Sequence, residues 1–165
     1  MAGRAPIGVR ISGDRALGRF AVVAARFNEP ISKKLADGAV AAFSGAGVGG
    51  HRIEVHWVPG SFELPLAALT LARSGAFAGI ACVGVVIKGG TPHFDFICRE
   101  AAAGIREASL ATGVPIGFGV ITALTEEQAW ERAGGSVGNR GEEAALAVLE
   151  MAEWLRGRPR RPRRR

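Results

Sequence analysis

A chain of 165 residues is long enough for one domain with a buried core, and its 48% of hydrophobic residues excludes a mainly disordered protein. The longest apolar stretch, residues 78–87, is too short to cross a bilayer and is interrupted by glycine. The formal charge of +6 arises at the C-terminal end, because seven of the 21 basic residues lie in the last ten positions and leave 14 basic against 15 acidic residues elsewhere.

The two ends of the chain differ in composition from the predicted domain at residues 19–155. Residues 1–18 form a predicted N-terminal arm without the apolar segment of a signal peptide, which favours the cytoplasm. Residues 156–165 combine arginines with two prolines and no apolar side chain, so we expect a disordered tail. Two interpretations of this tail stay open: a solvated end without specific function, or a segment that binds nucleic acid or another polyanion.

The first half of the domain alternates short strand patterns with longer helical ones. Residues 20–25 predict a buried strand, and Asn28 is the expected N-cap of the helix that follows. Apolar and polar residues alternate over residues 53–57, which predicts a second strand. A turn at residues 59–61 then leads into a predicted helix over residues 62–74.

The next elements continue the alternation. Residues 80–87 predict a strand that is buried on both faces, and a third helix follows Thr91, its expected cap. Phe94 and Ile97 are the first members of an apolar stripe on this helix. Residues 115–122 predict the fourth strand.

The last part of the domain contains two more predicted helices. Residues 125–128 match a capping box, which opens the fourth helix. A glycine-rich break at residues 134–141 separates it from a fifth helix that ends near Leu155. Regular alternation of strands and helices predicts a single three-layer α/β/α domain of the flavodoxin-like class, with a four-stranded parallel sheet. Such sheets bind ligands at the carboxyl ends of their strands.

The loop after the third strand, residues 88–93 (KGGTPH), carries the strongest local signal. Its glycines let the backbone approach an oxyanion, and the following helix offers free N–H groups and a positive dipole end, which suits phosphate. An ordinary turn whose glycines need a positive φ explains the same pattern. His93 lies in the first helical turn, where we expect a neutral imidazole that serves either as a base or as a structural side chain.

Other strand ends also carry candidate binding residues. Phe27 follows the first strand and residues 61–63 follow the second, so an aromatic ring and polar groups could hold a planar heterocycle with a polyol chain. Taken singly, each of these residues is better explained by a structural role, with Phe62 at the start of a helix core and Glu63 at the helix N-terminus. Arg132 and Arg140 flank the glycine-rich break, either as phosphate ligands or as solvated charges.

No pattern in the sequence predicts a metal ion or a cofactor. His51 and His56 are expected on opposite faces of the second strand, so they do not form a ligand pair. The glycine patterns of nucleotide-binding loops are missing from the expected places. Cys82 and Cys98 are predicted to be reduced packing residues.

Several segments in the same order resemble the lumazine synthase family and together span residues 20–154. The segments are residues 25–28 (ARFN), 58–65 (VPGSFELP), 84–96 (GVVIKGGTPHFDF), 118–122 (FGVIT), 127–129 (EQA), 132–134 (RAG), 139–141 (NRG) and 150–151 (EM). The resemblance implies the penultimate step of riboflavin biosynthesis, in which 5-amino-6-ribitylaminouracil and 3,4-dihydroxy-2-butanone 4-phosphate condense to 6,7-dimethyl-8-ribityllumazine. Phosphate and water are released, and no cofactor or metal ion is implied.

The resemblance also assigns roles to residues. The uracil substrate would meet a stacking aromatic ring, a turn that holds the ribityl chain, and backbone groups at the ring edge. In that order these are Phe27; Ser61, Phe62 and Glu63; and Val86 and Ile87. Gly90 and Thr91 would seat the phosphate, and His93 would move protons. Phe118 and Arg132 match residues that reach into a neighbouring subunit's site, where Arg132 would neutralise the phosphate.

A homo-oligomer follows from the same resemblance, as a pentamer and in some members as a sixty-subunit shell. Three positions depart from the family pattern. Lys88 stands in the substrate-binding loop where many relatives have arginine, which keeps the charge without the forked geometry. Ser136 replaces a residue that is often basic, and Arg140 replaces a frequent lysine. The alternative is a non-catalytic flavin- or lumazine-binding shell protein, against which the intact Phe27, Glu63, His93 and Arg132 argue.

Overall fold

The computed structural model describes residues 18–157, so that residues 1–17 and 158–165, with most of the predicted arm and tail, lie outside the described residues. Strands and helices alternate along the chain. The elements are β1 (Arg19–Ala25), α1 (Glu29–Gly45), a 3-10 turn (Gly50–Arg52), β2 (Ile53–Val58), α2 (Leu64–Arg73), β3 (Phe77–Ile87), α3 (His93–Thr112), β4 (Ile116–Ala123), α4 (Glu126–Glu131), β5 (Ala133–Gly135), β6 (Gly138–Asn139) and α5 (Arg140–Arg156).

A four-stranded parallel sheet in the order β2-β1-β3-β4 forms the middle layer. One apolar core lies between the sheet and helices α1 and α5, and a second lies between the sheet and helices α2 and α3. Neighbouring residues of β1 supply both cores, since Val22 faces the first and Val23 the second. The predicted three-layer α/β/α architecture is therefore confirmed.

Two helix caps differ from the sequence prediction. Asn28 occupies the N-cap of α1, but its side chain makes no capping hydrogen bond. Its backbone is left-handed, at φ 58° and ψ 46°, and its carbonyl oxygen accepts hydrogen bonds from Ile31 N and Ser32 N at 3.0 and 3.1 Å. Asparagine is one of the few residues that adopt this conformation readily. Helix α3 has Pro92 at its N-cap, so the assignment of Thr91 as the cap was wrong.

The starts of two elements differ from the predicted ones by two or three residues. Helix α2 begins at Leu64, two residues later than predicted, because Glu63 N donates to Gly60 O at 3.2 Å and keeps the preceding residues in a turn. Strand β3 begins at Phe77 instead of residue 80. Phe77 is buried and Ala78 is half-buried, so the first residues of the strand do not belong to the continuous buried run from which the strand was predicted.

The capping box of α4 is confirmed with one change. Thr125 Oγ1 accepts from Gln128 N at 3.3 Å, as expected, while the Gln128 side chain bonds to Leu124 N at 2.9 Å, one residue before the cap. The backbone N–H of Glu127 and the Thr125 hydroxyl both lower the pKa of the Glu127 carboxyl. The start of α4 is thus stabilised by neutral and charge-assisted hydrogen bonds.

The glycine-rich break is a small antiparallel hairpin of β5 and β6, in which Ala133 pairs with Asn139. Gly134 and Gly138 adopt positive φ values of 113° and 99°, which lets the chain reverse within a few residues. The predicted break between the fourth and fifth helices is present, and its two short strands were not predicted, because glycines give no apolar alternation from which a strand can be predicted. The hairpin leads directly into α5, which ends at Arg156, one residue beyond the predicted end.

The two other histidines do not share a strand. His51 lies in the 3-10 turn, so its predicted place on the second strand was wrong. His56 lies in β2, where its Nε2 is 3.2 Å from Glu54 Oε2. In the part of the chain that the structure describes, no helix is both long and apolar enough to cross a membrane.

Candidate active site

A cavity of about 630 Å³ lies at the carboxyl ends of β1, β2 and β3. The strand order reverses between β1 and β3, and a parallel sheet opens a crevice at such a switch point. Most of the predicted site residues meet there. They are Phe27, Ser61, Phe62, Glu63, Val86, Ile87, Thr91 and His93.

The segment after β1 is fixed by backbone hydrogen bonds that continue the sheet ladder. Arg26 N donates to Val58 O at 2.8 Å, and Phe27 N donates to Pro59 O at 3.0 Å. The Phe27 carbonyl also accepts the Ser32 hydroxyl at 3.4 Å. The Phe27 ring is nevertheless 71% exposed, so a rigid backbone presents an open aromatic face to the cavity.

The turn between β2 and α2 separates its polar and apolar side chains. Ser61 is 6% exposed and lies over β3, where a Cβ atom at position 84 would come within 2.8 Å of its Oγ. Gly84 therefore makes room for this hydroxyl. The Glu63 carboxylate folds back toward Gly60, and the Phe62 ring is exposed. The turn thus offers two oxygen-bearing side chains beside an aromatic surface.

The loop after β3 is open where a guest could approach. Lys88 N donates to Ala123 O at 2.9 Å and extends the pairing with β4 up to the start of the loop. Gly89 and Gly90 do not adopt a positive φ, so the explanation of these glycines by a left-handed turn was wrong. A Cβ atom at either position would meet no atom within 4 Å. The loop backbone therefore borders free space.

His93 is the first residue of the 20-residue helix α3 and is exposed to the cavity. The positive end of this helix points to the same space. Asp95 in the first turn acts on Cys98, whose thiol pKa is raised first by burial and second by the Asp95 charge. Cys82 is fully buried in β3, and burial raises its pKa to about 12. Both cysteines are free, as predicted.

Four predicted site residues do not line the cavity of this chain. Lys88 and Gly90 alternate with lining residues on the same loop. Phe118 lies within β4, 44% exposed. Arg132 follows α4, and its Nη1 donates to Gln128 O at 2.9 Å and lies 3.7 Å from Glu131 Oε2.

The segment that carries Arg132 packs on the face of the sheet that α1 and α5 cover. The nearby Ala129 and Ala133 are buried in the core on the α1 and α5 face, whereas α2 and α3 flank the cavity on the other face. Among the described residues, the cavity of a single chain is lined by apolar side chains together with Ser61, Glu63, Thr91 and His93, and by no arginine.

Two residues of the cavity wall were predicted only as packing residues. Phe94 and Ile97 are half-buried and line the cavity, while Ala101, Ile105 and Ala108 of the same predicted stripe are buried in the core. The first turn of α3 projects beyond the sheet, so its apolar residues face the crevice. Their position at a helix start after the third strand was the signal that could have identified them.

The family model described as 6,7-dimethyl-8-ribityllumazine synthase matches residues 18–156. The chain belongs to the lumazine synthase family. A curated relative named 6,7-dimethyl-8-ribityllumazine synthase, from Syntrophus aciditrophicus (strain SB), is 49% identical over 138 residues, which cover 84% of this chain and 90% of the relative. The lumazine synthase match includes every residue of the cavity as well as Phe118 and Arg132.

Between residues 18 and 157, no three His, Cys, Asp or Glu side chains lie where they could hold a metal ion together. The polar side chains that line the lumazine synthase cavity are the hydroxyls of Ser61 and Thr91, the carboxylate of Glu63 and the imidazole of His93. These groups can hydrogen-bond an organic substrate and transfer protons to it.

Proposed function

We propose that the cavity at the carboxyl ends of β1 to β3 is where this chain carries out the reaction of its family. As a member of that family, the chain is a transferase of riboflavin biosynthesis. It condenses 5-amino-6-ribitylaminouracil with 3,4-dihydroxy-2-butanone 4-phosphate to 6,7-dimethyl-8-ribityllumazine, and releases phosphate and water. The observation that carries the proposal is the convergence of an open aromatic ring, a polar turn and a helix N-terminus on one cavity.

The uracil substrate binds on the β1 and β2 side of the cavity. The exposed ring of Phe27 stacks on the pyrimidine, and its fixed backbone limits the entropy lost on binding. The Glu63 carboxylate accepts hydrogen bonds from the hydroxyls of the ribityl chain, and the Ser61 hydroxyl donates to them or accepts from them, with Phe62 beside both. The backbone groups of Val86 and Ile87 meet the polar edge of the ring.

The phosphorylated ketone binds on the α3 side. Gly90 and Thr91 lie before the N-terminus of the long helix α3, and Gly90 borders open space. This position suits a phosphate, which accepts hydrogen bonds from backbone N–H groups. Lys88 adds a positive charge to the loop but cannot form the two parallel hydrogen bonds of an arginine. A phosphate dianion therefore needs a further cation, and Arg132 of a neighbouring subunit supplies it.

His93 moves protons between the two substrates. The substrate amine attacks the ketone carbon, and the carbinolamine loses water to give a Schiff base. Removal of the proton from the adjacent carbon expels phosphate and leaves an enol that becomes a ketone. The ribityl-bearing nitrogen then attacks this carbonyl and loses a second water to close the ring. His93 lies beside the phosphate loop and within the cavity, so it can take and return these protons. Most of the rate acceleration comes from holding the amine and the ketone together.

The active enzyme is a homo-oligomer in this proposal. Phe118 is exposed on an edge strand, and neither Phe118 nor Arg132 lines the cavity of its own chain. A ring of five subunits brings both residues to the next subunit's cavity, and a sixty-subunit shell is the larger form of the same arrangement. Light scattering after size exclusion distinguishes a monomer, a pentamer and a shell.

Incubation of the full chain with both substrates, followed by the absorbance of the lumazine product, tests the proposal. We expect product formation that needs both substrates and no added metal ion. A protein that binds lumazine or flavin tightly and forms no product above the uncatalysed rate would instead be the non-catalytic shell protein.

The C-terminal arginines and the compartment stay predictions from the sequence. A chain that ends at Leu155 removes the whole arginine-rich tail, so its retention of nucleic acid can be compared with that of the full chain. Equal retention would indicate a solvated tail without specific function. Greater retention by the full chain would indicate that the tail binds a polyanion. The cytoplasm is the expected location of the enzyme.

A further inference from the structure

The side chain of Asn139 connects the Arg132 hairpin, by which we mean residues 132–140, to two helices. Its Oδ1 accepts hydrogen bonds from Gly141 N and Glu142 N at 2.9 and 3.0 Å and so caps helix α5. Its Nδ2 donates to the carbonyl oxygen of Lys34 in α1 at 2.9 Å. One amide group therefore joins the hairpin to α5 and to α1.

The side-chain amide of Asn139 packs closely against α1. A Cβ atom at position 38 would lie 2.5 Å from the side-chain atoms of Asn139, so Gly38 leaves the amide just enough room against α1. A Cβ atom at position 141 would overlap the carbonyl oxygen of Leu35, so α5 begins in direct contact with α1. Both helices are buried against each other here, and the hairpin takes its position from them.

Backbone hydrogen bonds of the hairpin connect the residues next to Asn139 with Arg132. Asn139 pairs with Ala133 across the hairpin, and Arg140 N donates to Arg132 O at 2.9 Å. On the other side, Arg132 Nη1 donates to Gln128 O, which turns the guanidinium back along α4. The Arg132 backbone is thus held by the residues directly next to Asn139.

We infer that Asn139 is a positioning residue for Arg132, and that its hydrogen bond to Lys34 O sets where the guanidinium meets the substrate phosphate. The inference rests on the proposed function, in which Arg132 binds the phosphate of the ketone. Asn139 itself does not line the cavity or touch substrate. Its two roles are separable, because the capping oxygen and the donating nitrogen are different atoms of one amide.

Two variants separate the roles. Asn139→Ser keeps an oxygen that can cap α5 but has no amide to reach Lys34 O. Asn139→Asp keeps a stronger capping group and also has no donor for that carbonyl. Val148→Ala is the matched control, because Val148 is buried on α5 and packs over Gly79 and Gly117 of the sheet, so that its truncation destabilises the helix away from Asn139 in the sequence.

The experiment measures KM for each substrate, kcat, the thermal midpoint and the oligomer size of the full-length variants. We expect Asn139→Ser and Asn139→Asp to raise KM for the phosphorylated ketone about 5-fold, the effect of one lost hydrogen bond, and to leave KM for the uracil unchanged. In an Arg132→Ala background, Asn139→Ser should add nothing to the ketone KM, since it acts through the missing guanidinium.

Three results overturn the inference. Either Asn139 variant could shift both Michaelis constants equally, could lower the thermal midpoint like Val148→Ala without a change in KM, or could raise the ketone KM further when Arg132 is already alanine. If Arg132→Ala itself leaves the ketone KM unchanged, the assignment of Arg132 in the proposed function fails as well. That outcome is distinguishable, because it appears in the single Arg132 variant.

Discussion

Phe118 lies opposite Cys82 in the parallel pairing of β3 and β4. Val85, the nearest residue of β3 that lines the cavity, is three residues further along the strand. Three strand residues span about 10 Å, and Phe118 does not line the cavity of its own chain. Its exposed ring on an edge strand is available to another subunit instead.

Arg132 leads to the same conclusion from the other face of the sheet. The hairpin that carries it packs with α1 and α5, while the cavity lies beside α2 and α3. The two residues that complete the proposed substrate site therefore do not line the cavity of their own chain, in line with the expectation that they serve a neighbouring subunit. In the proposed function, one chain holds most of the uracil site and the helix end of the phosphate site.

Replacement of His93 by alanine removes the imidazole at the start of α3 and leaves the cavity walls in place. We expect kcat to fall about 10- to 100-fold, because orientation of the substrates supplies most of the acceleration and proton transfer a smaller part. Steady-state assays of a variant with wild-type oligomer size measure this effect. Complete loss of activity would contradict an orientation-dominated mechanism.

Replacement of Arg132 by alanine removes the cation proposed to meet the substrate phosphate. The loss of a charge-assisted hydrogen bond should raise KM for the phosphorylated ketone about 10-fold or more, with little change in KM for the uracil. Arg156→Ala is a suitable control, because this arginine is paired with Glu153 at 3.4 Å on the last turn of α5. Equal increases in both Michaelis constants would speak against the assignment.

Gly141 begins α5 where any side chain would overlap the Leu35 carbonyl oxygen. Gly141→Ala should therefore lower the free energy of unfolding by about 3 kcal/mol or more, as expected when a packed backbone contact must open. Gly45→Ala is the matched control, since a Cβ atom there meets nothing within 4 Å. Urea unfolding at one protein concentration compares the two, and equal stabilities would show that α5 shifts freely on α1.

The buried thiol of Cys82 makes stability fall at alkaline pH. Its pKa is about 12 in the folded chain and 9.0 for an ordinary thiol, so the unfolded state loses this proton first as the pH rises. The contribution is present below pH 9 and decreases by roughly 1 kcal/mol per pH unit between those values. Urea unfolding from pH 8 to pH 11 should show a shallower decline for Cys82→Ala than for the parent. Identical slopes would disprove the effect.

The periodicity of the sequence predicted the sheet, its four strands and the five helices, because buried strands and amphipathic helices leave distinct apolar patterns. The loop of residues 88–93 and the turn of residues 61–63 were recognised as site segments because polar residues follow apolar strands. The reason for Gly89 and Gly90 could not be predicted, since a glycine in open space and a glycine with positive φ look the same in sequence.

The hairpin around Arg132 could not be predicted from local patterns. Its glycines have no strand signature, and its position depends on the hydrogen bond from Asn139 to Lys34 O, between residues 105 positions apart. The left-handed backbone of Asn28 was equally hidden, because asparagine is common both at side-chain caps and in left-handed turns. Contacts between distant segments decide such cases.

The most direct test of a site shared between subunits mixes two impaired variants. Subunits of His93→Ala and Arg132→Ala are dissociated, combined in equal amounts and reassembled, with each variant treated alone as the control. Activity is measured at a ketone concentration well below KM, where both variants are impaired. If one subunit supplies His93 and the next supplies Arg132, about a quarter of the sites in the mixed rings regain both groups, and activity should rise well above the mean of the two variants. Activity equal to that mean after proven subunit exchange would place both residues in the site of a single chain and contradict the account.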